Sequence, residues 1–399
     1  MLKQESYLTN TRGLKIEGFV GNAFSFSSKF YETQVGYPGY IHQTIVLTEV
    51  APGQGAARPF NATGWDVARA EGSISVAINK HVHLFAGHGK HFIGHGYRSL
   101  LLSDNSFSYP FANIAIKFKH VNVNKIYASL MHNPVNIGDI VVQKKSSVFT
   151  TIELYNSHLI SFSYFEGSLW NNPDTTDTYK WGARYINPVP IIALFDTNNH
   201  TVAGLNLKLQ HLKKIEVYAQ CAWDDRYFIK KKQIEGIDNK SLAWQIGIKL
   251  YNILSFNGLY AQMEYSHAKP NTFAHKNQIL SYSHYNQSLT HPLGAAFNEY
   301  VFRLKYYYKR FSVHAHLSVA HSYPNSYQGD ILLPLKKREI AEQTKKLLNY
   351  NNFEASYLLN HKTNLKLCLG RTQRKFENSD FKMYYVSFVT DIDNYYFDF

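Results

Sequence analysis

The densest chemistry in this chain lies in one stretch, Gly87-His-Gly-Lys-His-Phe-Ile-Gly-His-Gly-Tyr-Arg-Ser-Leu-Leu-Leu-Ser-Asp104. Four glycines in its first ten residues (Gly87, Gly89, Gly94, Gly96) open backbone conformations closed to other residues, so the stretch reads as a tightly folded loop. Lys90, Tyr97, Arg98 and Asp104 supply two cations, a ring and a carboxylate. Arginine grips acidic groups with a planar fork, and aromatic faces stack on sugar rings. Trp170, Tyr179 and Trp181 add further aromatic planes in a later connection. Lys90, Tyr97, Arg98, Asp104, Trp170 and Trp181 are therefore the candidate ligand-binding set, with an acidic glycan as the matching ligand. A second reading stands beside it, in which Tyr97 and Arg98 only pin the loop in place. Leu100 to Leu102 need burial, so this loop is expected to fold at or into the mouth of whatever carries it, with Arg98 and Asp104 held by hydrogen bonds or an ion pair.

Other clusters carry less. His81, His83, His88, His91 and His95 match no metal-ligand spacing, and no metal or cofactor is expected. No Gly-x-Ser-x-Gly elbow occurs, and a pair such as Ser99 with His95 has no third partner, so no catalytic centre is expected. Cys221 falls on an apolar strand face and Cys368 on a polar one, which argues against a disulfide.

What must position these residues is a series of strands. In Asn298–His321, Tyr300, Phe302, Leu304, Tyr306 and Tyr308 share one face, while Glu299, Arg303, Lys305 and Lys309 share the other. After Arg310 the alternation resumes with Phe311, Val313, Ala315, Leu317 and Val319. Leu242, Trp244, Ile246, Ile248 and Leu250 repeat it, as do Leu205, Leu207 and Leu209, then Leu365, Leu367 and Leu369. Successive side chains of a strand point to opposite faces. Aromatic-rich faces opposed to charged ones fit a transmembrane barrel with a lipid-facing exterior and a wet lumen better than a soluble sandwich. The 30 Tyr and 26 Phe suit aromatic girdles. No apolar run reaches the roughly 18 residues of a membrane-spanning helix.

Two classes of connection alternate. Tight turns fall at Asn79-Lys80, 121–124, Asn156-Ser157, His211-Leu212, Lys309-Arg310 and 360–362. Long polar connections fall at 35–64, 90–109, 132–146, 224–240, 267–296 and 322–349, the last holding the single stretch with helical character, 337–348. With a last strand near 382–391 the count is roughly 17. The fold class is thus an all-β, transmembrane, antiparallel up-and-down β-barrel of 16–18 strands, one domain over residues 1–399. Barrels of this class use even counts, so one strand upstream of Leu14–Val20, or an in-chain strand near 190–196, would repair the parity. The first residues hold no signal peptide, so the signal was removed or the chain begins within a longer product.

The formal net charge is +13. Its clusters, Lys213-Lys214, Lys230 to Lys232, Lys336 to Arg338 and Lys345-Lys346, lie mostly in connections. For a barrel at a cell surface, acidic polysaccharide or lipopolysaccharide phosphate is the matching counter-charge rather than nucleic acid.

The glycine-rich segment, with Tyr7 to Gly13, Pro52 to Gly55, Tyr109 to Phe111, His291 to Gly294, Gly329 to Ile331 and Asn394 to Phe399 in the same order, resembles the capsule-assembly outer-membrane family Wzi, and more closely its gliding-motility relatives of the RemB kind. The resemblance spans nearly the whole chain. It implies an 18-stranded outer-membrane barrel without enzymatic activity and without cofactor, exposed at the cell surface. The alternative reading of the same barrel is an outer-membrane diffusion or substrate-specific channel, which needs an open bore that an inward-folded 90–109 connection would block. Its implied partners are surface polysaccharide, outer-membrane lipid and the gliding or export machinery of Bacteroidetes-type bacteria. It also implies an upstream region absent from this sequence. The chain departs from the family's pattern at His91 and His95, where Asn and Asp are expected.

Overall fold

The computed structural model describes residues 7–61, 64–132, 143–156, 159–171, 199–235, 239–252, 256–322, 345–377, 379–390 and 398. One 18-stranded antiparallel sheet dominates. Seventeen of its strands are long and follow one another in chain order. They are β1 (Thr9–Val20), β2 (Phe24–Val35), β3 (Gly64–Ala77), β4 (Val82–Gly89), β5 (Tyr109–Lys117), β6 (Val121–His132), β7 (Gln143–Asn156), β8 (Ile160–Asn171) and β9 (Asn199–His211). Then come β10 (Ile215–Asp224), β11 (Leu242–Tyr251), β12 (Leu259–Ala268), β13 (Phe297–Tyr308), β14 (Phe311–Ser322), β15 (Lys346–Asn360), β16 (Leu365–Phe376) and β17 (Ser379–Thr390). The eighteenth, Arg58–Phe60, is a short strip on the edge of β3.

Each long strand pairs with its chain neighbours, so the topology is an up-and-down meander. A 12-residue strand rises about 40 Å and, tilted as barrel strands are, spans a bilayer's apolar band. The two faces separate as the alternation predicts. An outward row runs Leu207, Ala219, Ile246, Tyr265, Tyr300, Val319 across β9 to β14. Tyr300 is 58% exposed, and its ring lies 4.7 Å from that of Tyr265. The opposite row runs Tyr218, Gly247, Glu264, Val301, Ser318, Tyr350, Arg374 across β10 to β16. Cys221 and Cys368 are not joined in a disulfide.

The inward surface differs from the wet lumen expected. Phe149, Phe165, Leu169, Ile126, Leu130 and Val202 point inward from β6 to β9 and are fully or almost fully buried. They are covered by Leu100, Leu101 and Leu102 from the β4–β5 connection and by Phe273, Tyr282 and Leu289 from the β12–β13 connection. Two long connections therefore fold into the barrel and build an apolar core against one wall. A helix that the sequence did not announce, α1 (Gly39–Thr48), buries Ile41 and Ile45 against Val35, Tyr37, Ala51 and Val67.

Three local expectations shift. The turn expected at 121–124 sits before Val121, where the Phe118 N–H meets the Val121 carbonyl. Asn122 looked like a turn residue but lies in β6 and donates to Glu153 at 3.2 Å. Lys346, Leu347 and Leu348, expected to be helical, open β15 instead, because Leu348 pairs across to Ala320 and Phe376; the rest of 337–344 and the strand considered at 190–196 lie outside the described residues. At the seam, β1 pairs along its whole length with β2 and β17 with β16; among the described residues no strand pairing joins β1 to β17, and the Tyr7 ring ahead of β1 lies 6.1 Å from that of Phe381 on β17.

Gly247 lies opposite Tyr218, and Gly370 opposite Tyr385; an added Cβ at either would strike the tyrosine ring. Covering a strand glycine with a cross-strand aromatic ring stabilises a bent, closing sheet. Gly247→Val should displace Tyr218 and cost about 1–3 kcal/mol, as overpacking does. The check is the temperature at which the detergent-folded barrel loses its compact migration on a gel, which should fall well below that of the parent chain.

Candidate functional site

The β4–β5 connection, residues 90–108, crosses the barrel interior and is pinned to the far wall by main-chain hydrogen bonds. The N–H groups of Tyr97 and Arg98 donate to the Glu264 carboxylate on β12, at 2.7 and 3.1 Å. The Leu100 N–H donates to Gln220 Oε1 at 3.0 Å, and Gln220 Nε2 donates to the Ile93 carbonyl at 3.1 Å. Gln245 Nε2 donates to the Arg98 carbonyl at 3.2 Å. Here the glycines have a specific use: a Cβ at Gly96 would collide with the Glu264 carboxylate and Gln245, and one at Gly94 with Gln220. Only a bare backbone comes this close to a polar wall.

The second inward connection, 269–296, closes over the first. Tyr282 Oη donates to the Leu101 carbonyl at 3.0 Å, and the Ser103 N–H donates to the Leu289 carbonyl at 2.7 Å. His291 Nε2 lies 2.7 Å from Glu299 on β13. Burial holds the His291 imidazole below its ordinary pKa and draws His284 down to about 3.

Around Arg98 the loop gathers charge. Its Nη2 lies 2.8 Å from Asp398 Oδ2, and its Nε lies 3.7 Å from Glu299. Two guanidinium groups lie close to the Tyr97 ring, Arg303 from β13 at 4.2 Å and Arg98 at 4.8 Å from its centroid. Burial raises the Tyr97 phenol well above its ordinary pKa, so it stays a hydrogen-bond donor. Arg303 shares its strand face with Glu299 and Lys305, and Lys249 on β11 pairs with Glu216 at 2.9 Å. The interior is thus set with cations, several held by acidic neighbours.

Of the residues singled out in the sequence, Lys90, Tyr97, Arg98 and Asp104 all belong to this inward loop. Lys90 Nζ donates to the Gly53 carbonyl at 2.5 Å and to the Asp104 carbonyl at 3.2 Å. Trp170 is not with them: it packs with Val148 and Tyr127, on the face opposite Leu169 and the internal core. Trp181 lies outside the described residues. The histidines do not converge, since His81 bonds the Lys117 carbonyl, His88 the Ala70 carbonyl and His91 the Tyr109 hydroxyl. Ser99 Oγ donates to the Ile93 carbonyl at 2.6 Å and accepts from the Leu101 N–H.

Sequence reasoning missed Asp398, Glu264 and Gln220, which lie more than 100 positions from the loop they hold. It also missed a buried cluster of His200, Asp224 and Asp225. Arg226 grips Asp224 at 2.8 and 3.2 Å and Lys232 grips Asp225 at 2.6 Å, so these carboxylates already have cationic partners.

No protein-family model matches the chain, and no curated protein matches it. Solved structures share its fold. OpdK of Pseudomonas aeruginosa, crystallised with vanillate, is 9% identical, covers 95% of this chain and 94% of its own, and has a TM-score of 0.51. The outer membrane protein OprD of the same organism gives 10% identity, coverage of 96% and 93%, and a TM-score of 0.47. A BenF-like porin from Pseudomonas fluorescens Pf-5 gives 10%, 96%, 91% and 0.49. At 9% identity the likeness to OpdK is one of fold alone, and it is the fold of an outer-membrane barrel.

The resemblance to the capsule-assembly and gliding-motility family is corrected by these findings, in which the chain shares the fold of OpdK and matches no family model and no curated protein. The roles and partners it implied, namely capsule assembly, gliding motility, surface polysaccharide or lipopolysaccharide, and gliding or export machinery, fall with it. The physical reason lies in the loop. The segment that suggested the family is spent on threading the interior, where Arg98 is 2% exposed and Leu100 to Leu102 are fully buried, leaving little for a surface polymer to grip.

Burial draws the Lys90 ammonium down to about 8. A lysine depressed below its free value disfavours the docked state while charged, so docking gains strength as the pH rises from about 8 toward the ordinary lysine range. Proteolytic nicking within 90–108 should therefore slow between pH 7 and pH 9.5, relative to Lys90→Met measured with the same protease. A parent chain and variant with equal pH dependence would exclude this role for Lys90.

Proposed function

We propose that this chain forms a substrate-selective outer-membrane channel for small anionic solutes and has no enzymatic activity. The observation that carries the reading is the 90–108 loop, which crosses the lumen and sets Arg98 and Tyr97 against Arg303 on the opposite wall. A loop folded across a barrel narrows the bore, and cations at the narrowing favour anions, because low-dielectric walls strengthen their field. Inward-facing Lys208, Lys249, Arg303 and Lys305 on β9, β11 and β13 extend that bias along the wall. The rim that carries the long connections faces the cell exterior, and the rim of tight turns faces the periplasm, as in barrels of this architecture.

The likeness to OpdK supports the class of solute, since vanillate is a small aromatic carboxylate. A ring that can lie against Tyr97 and a carboxylate that an arginine fork can hold match such a molecule in both parts.

Reconstituted in planar bilayers, the chain should pass chloride more readily than potassium. Arg303→Ala should lower that permeability ratio roughly twofold or more at low salt, the effect shrinking as salt screens the lumen. In liposomes it should admit benzoate faster than an uncharged ring of the same size. A folded barrel that passes neither ions nor benzoate would overturn the channel reading.

A further inference from the structure

Asp398 stands inside the barrel, against the charged edge of the inward loop, and its surroundings have the form of a ligand site. Its Oδ2 receives the Tyr97 hydroxyl at 2.9 Å and Arg98 Nη2 at 2.8 Å, with His316 Nε2 at 3.4 Å. Arg98 Nη2 also donates to the Asp398 carbonyl at 3.0 Å. The side chains of Asp398 and Arg98 are 2% and 3% exposed. Yet the fit is uneven. Two donors, Tyr97 and Arg98, meet one carboxylate oxygen, while Oδ1 and the nearby His316 Nε2 are both buried with no hydrogen-bond partner among the described residues. A buried acceptor left unsatisfied costs roughly 1–3 kcal/mol, so a carboxylate free to turn would fill this seat better.

Charge decides how such a carboxylate would enter. Glu299 lies 3.7 Å from Arg98, and Glu264 holds the N–H groups of the same loop residues. A further anion set beside Asp398 would face three carboxylates, so exchange is favoured over addition.

We propose that Tyr97, Arg98 and His316 form a carboxylate-binding site which Asp398 occupies as the chain's own competing ligand, so that a small monocarboxylate binds by displacing it. The site depends on the channel reading only for the route by which a solute reaches it. Asp398 then sets the affinity of the lumen: it keeps the arginine paired when no solute is present, and it lowers the net gain when one arrives.

The test is equilibrium dialysis of labelled benzoate against the full chain folded in detergent, with compact gel migration as the folding control. Asp398→Asn, which keeps the shape and removes the charge, should bind benzoate about tenfold more tightly than the parent, a difference of about 1.4 kcal/mol. Adding Arg98→Gln should abolish the gain. Unchanged or weaker binding in a folded Asp398→Asn barrel overturns the proposal. Asp398→Ser serves if the amide does not fold; if neither folds, Asp398 is a structural strut and the proposal falls. Benzoate flux into liposomes separates the two readings. Tighter binding without flux in any variant sinks the channel and leaves the site standing, whereas flux with unchanged binding does the reverse.

Discussion

One wall carboxylate organises the interior. Glu264 accepts the N–H groups of Tyr97 and Arg98 and the hydroxyl of Tyr218 at 2.6 Å. A polypeptide that leaves the sheet and crosses a barrel gives up its strand partners, and every buried N–H must find another. Glu264, Gln220 and Gln245 supply those partners from three neighbouring strands, β12, β10 and β11. Once they fix the main chain, the side chains have no freedom left: Leu100 to Leu102 turn to the apolar wall and Arg98 turns to Asp398 and Glu299. The order of dependence runs from wall polarity to loop path to charge placement.

The same wall explains why the inner surface is divided. Over part of β6 to β9 it is apolar and is met by leucines and aromatic rings from the two inward connections. On β10 to β16 it carries polar and charged groups, among them the Lys249–Glu216 pair and Glu299, which meets His291 of the second inward connection. A loop with three leucines followed along by polar turns is matched to that division. Its apolar residues face one half of the barrel and its charged edge faces the other.

The sheet was legible because its signal is local. In Tyr300, Phe302 and Leu304 against Glu299, Arg303 and Lys305, each residue reports its own face, and tight turns such as Lys309-Arg310 follow from where the alternation breaks. The inward burial of Leu100 to Leu102 was also legible, since a water-exposed loop does not hold three consecutive leucines. What the loop docks against was not. Gln220, Glu264 and Asp398 are ordinary polar residues in their own segments, and their roles arise from contacts across 120 to 301 positions. The glycine spacing misled for a related reason: it reports a backbone passing close to something, and a close approach to a carboxylate wall leaves the same trace as a family signature. The α1 helix escaped because only Ile41 and Ile45 are its buried anchors, while Val46 and Leu47 beside them are exposed and blur the amphipathic pattern.

Those separations bear on how the barrel is put together. Strands β4 and β5, which carry the inward loop, leave the ribosome long before β10 to β13, which hold it, and Tyr97 waits 301 positions for Asp398. Contacts this distant in sequence form late, because their closure entropy is met only when the chain between them is already ordered. Until the wall is complete, three leucines and a guanidinium lack the partners that bury them. The loop thus carries an order of assembly: Arg98 meets Asp398 only when the chain beyond β17 is in place.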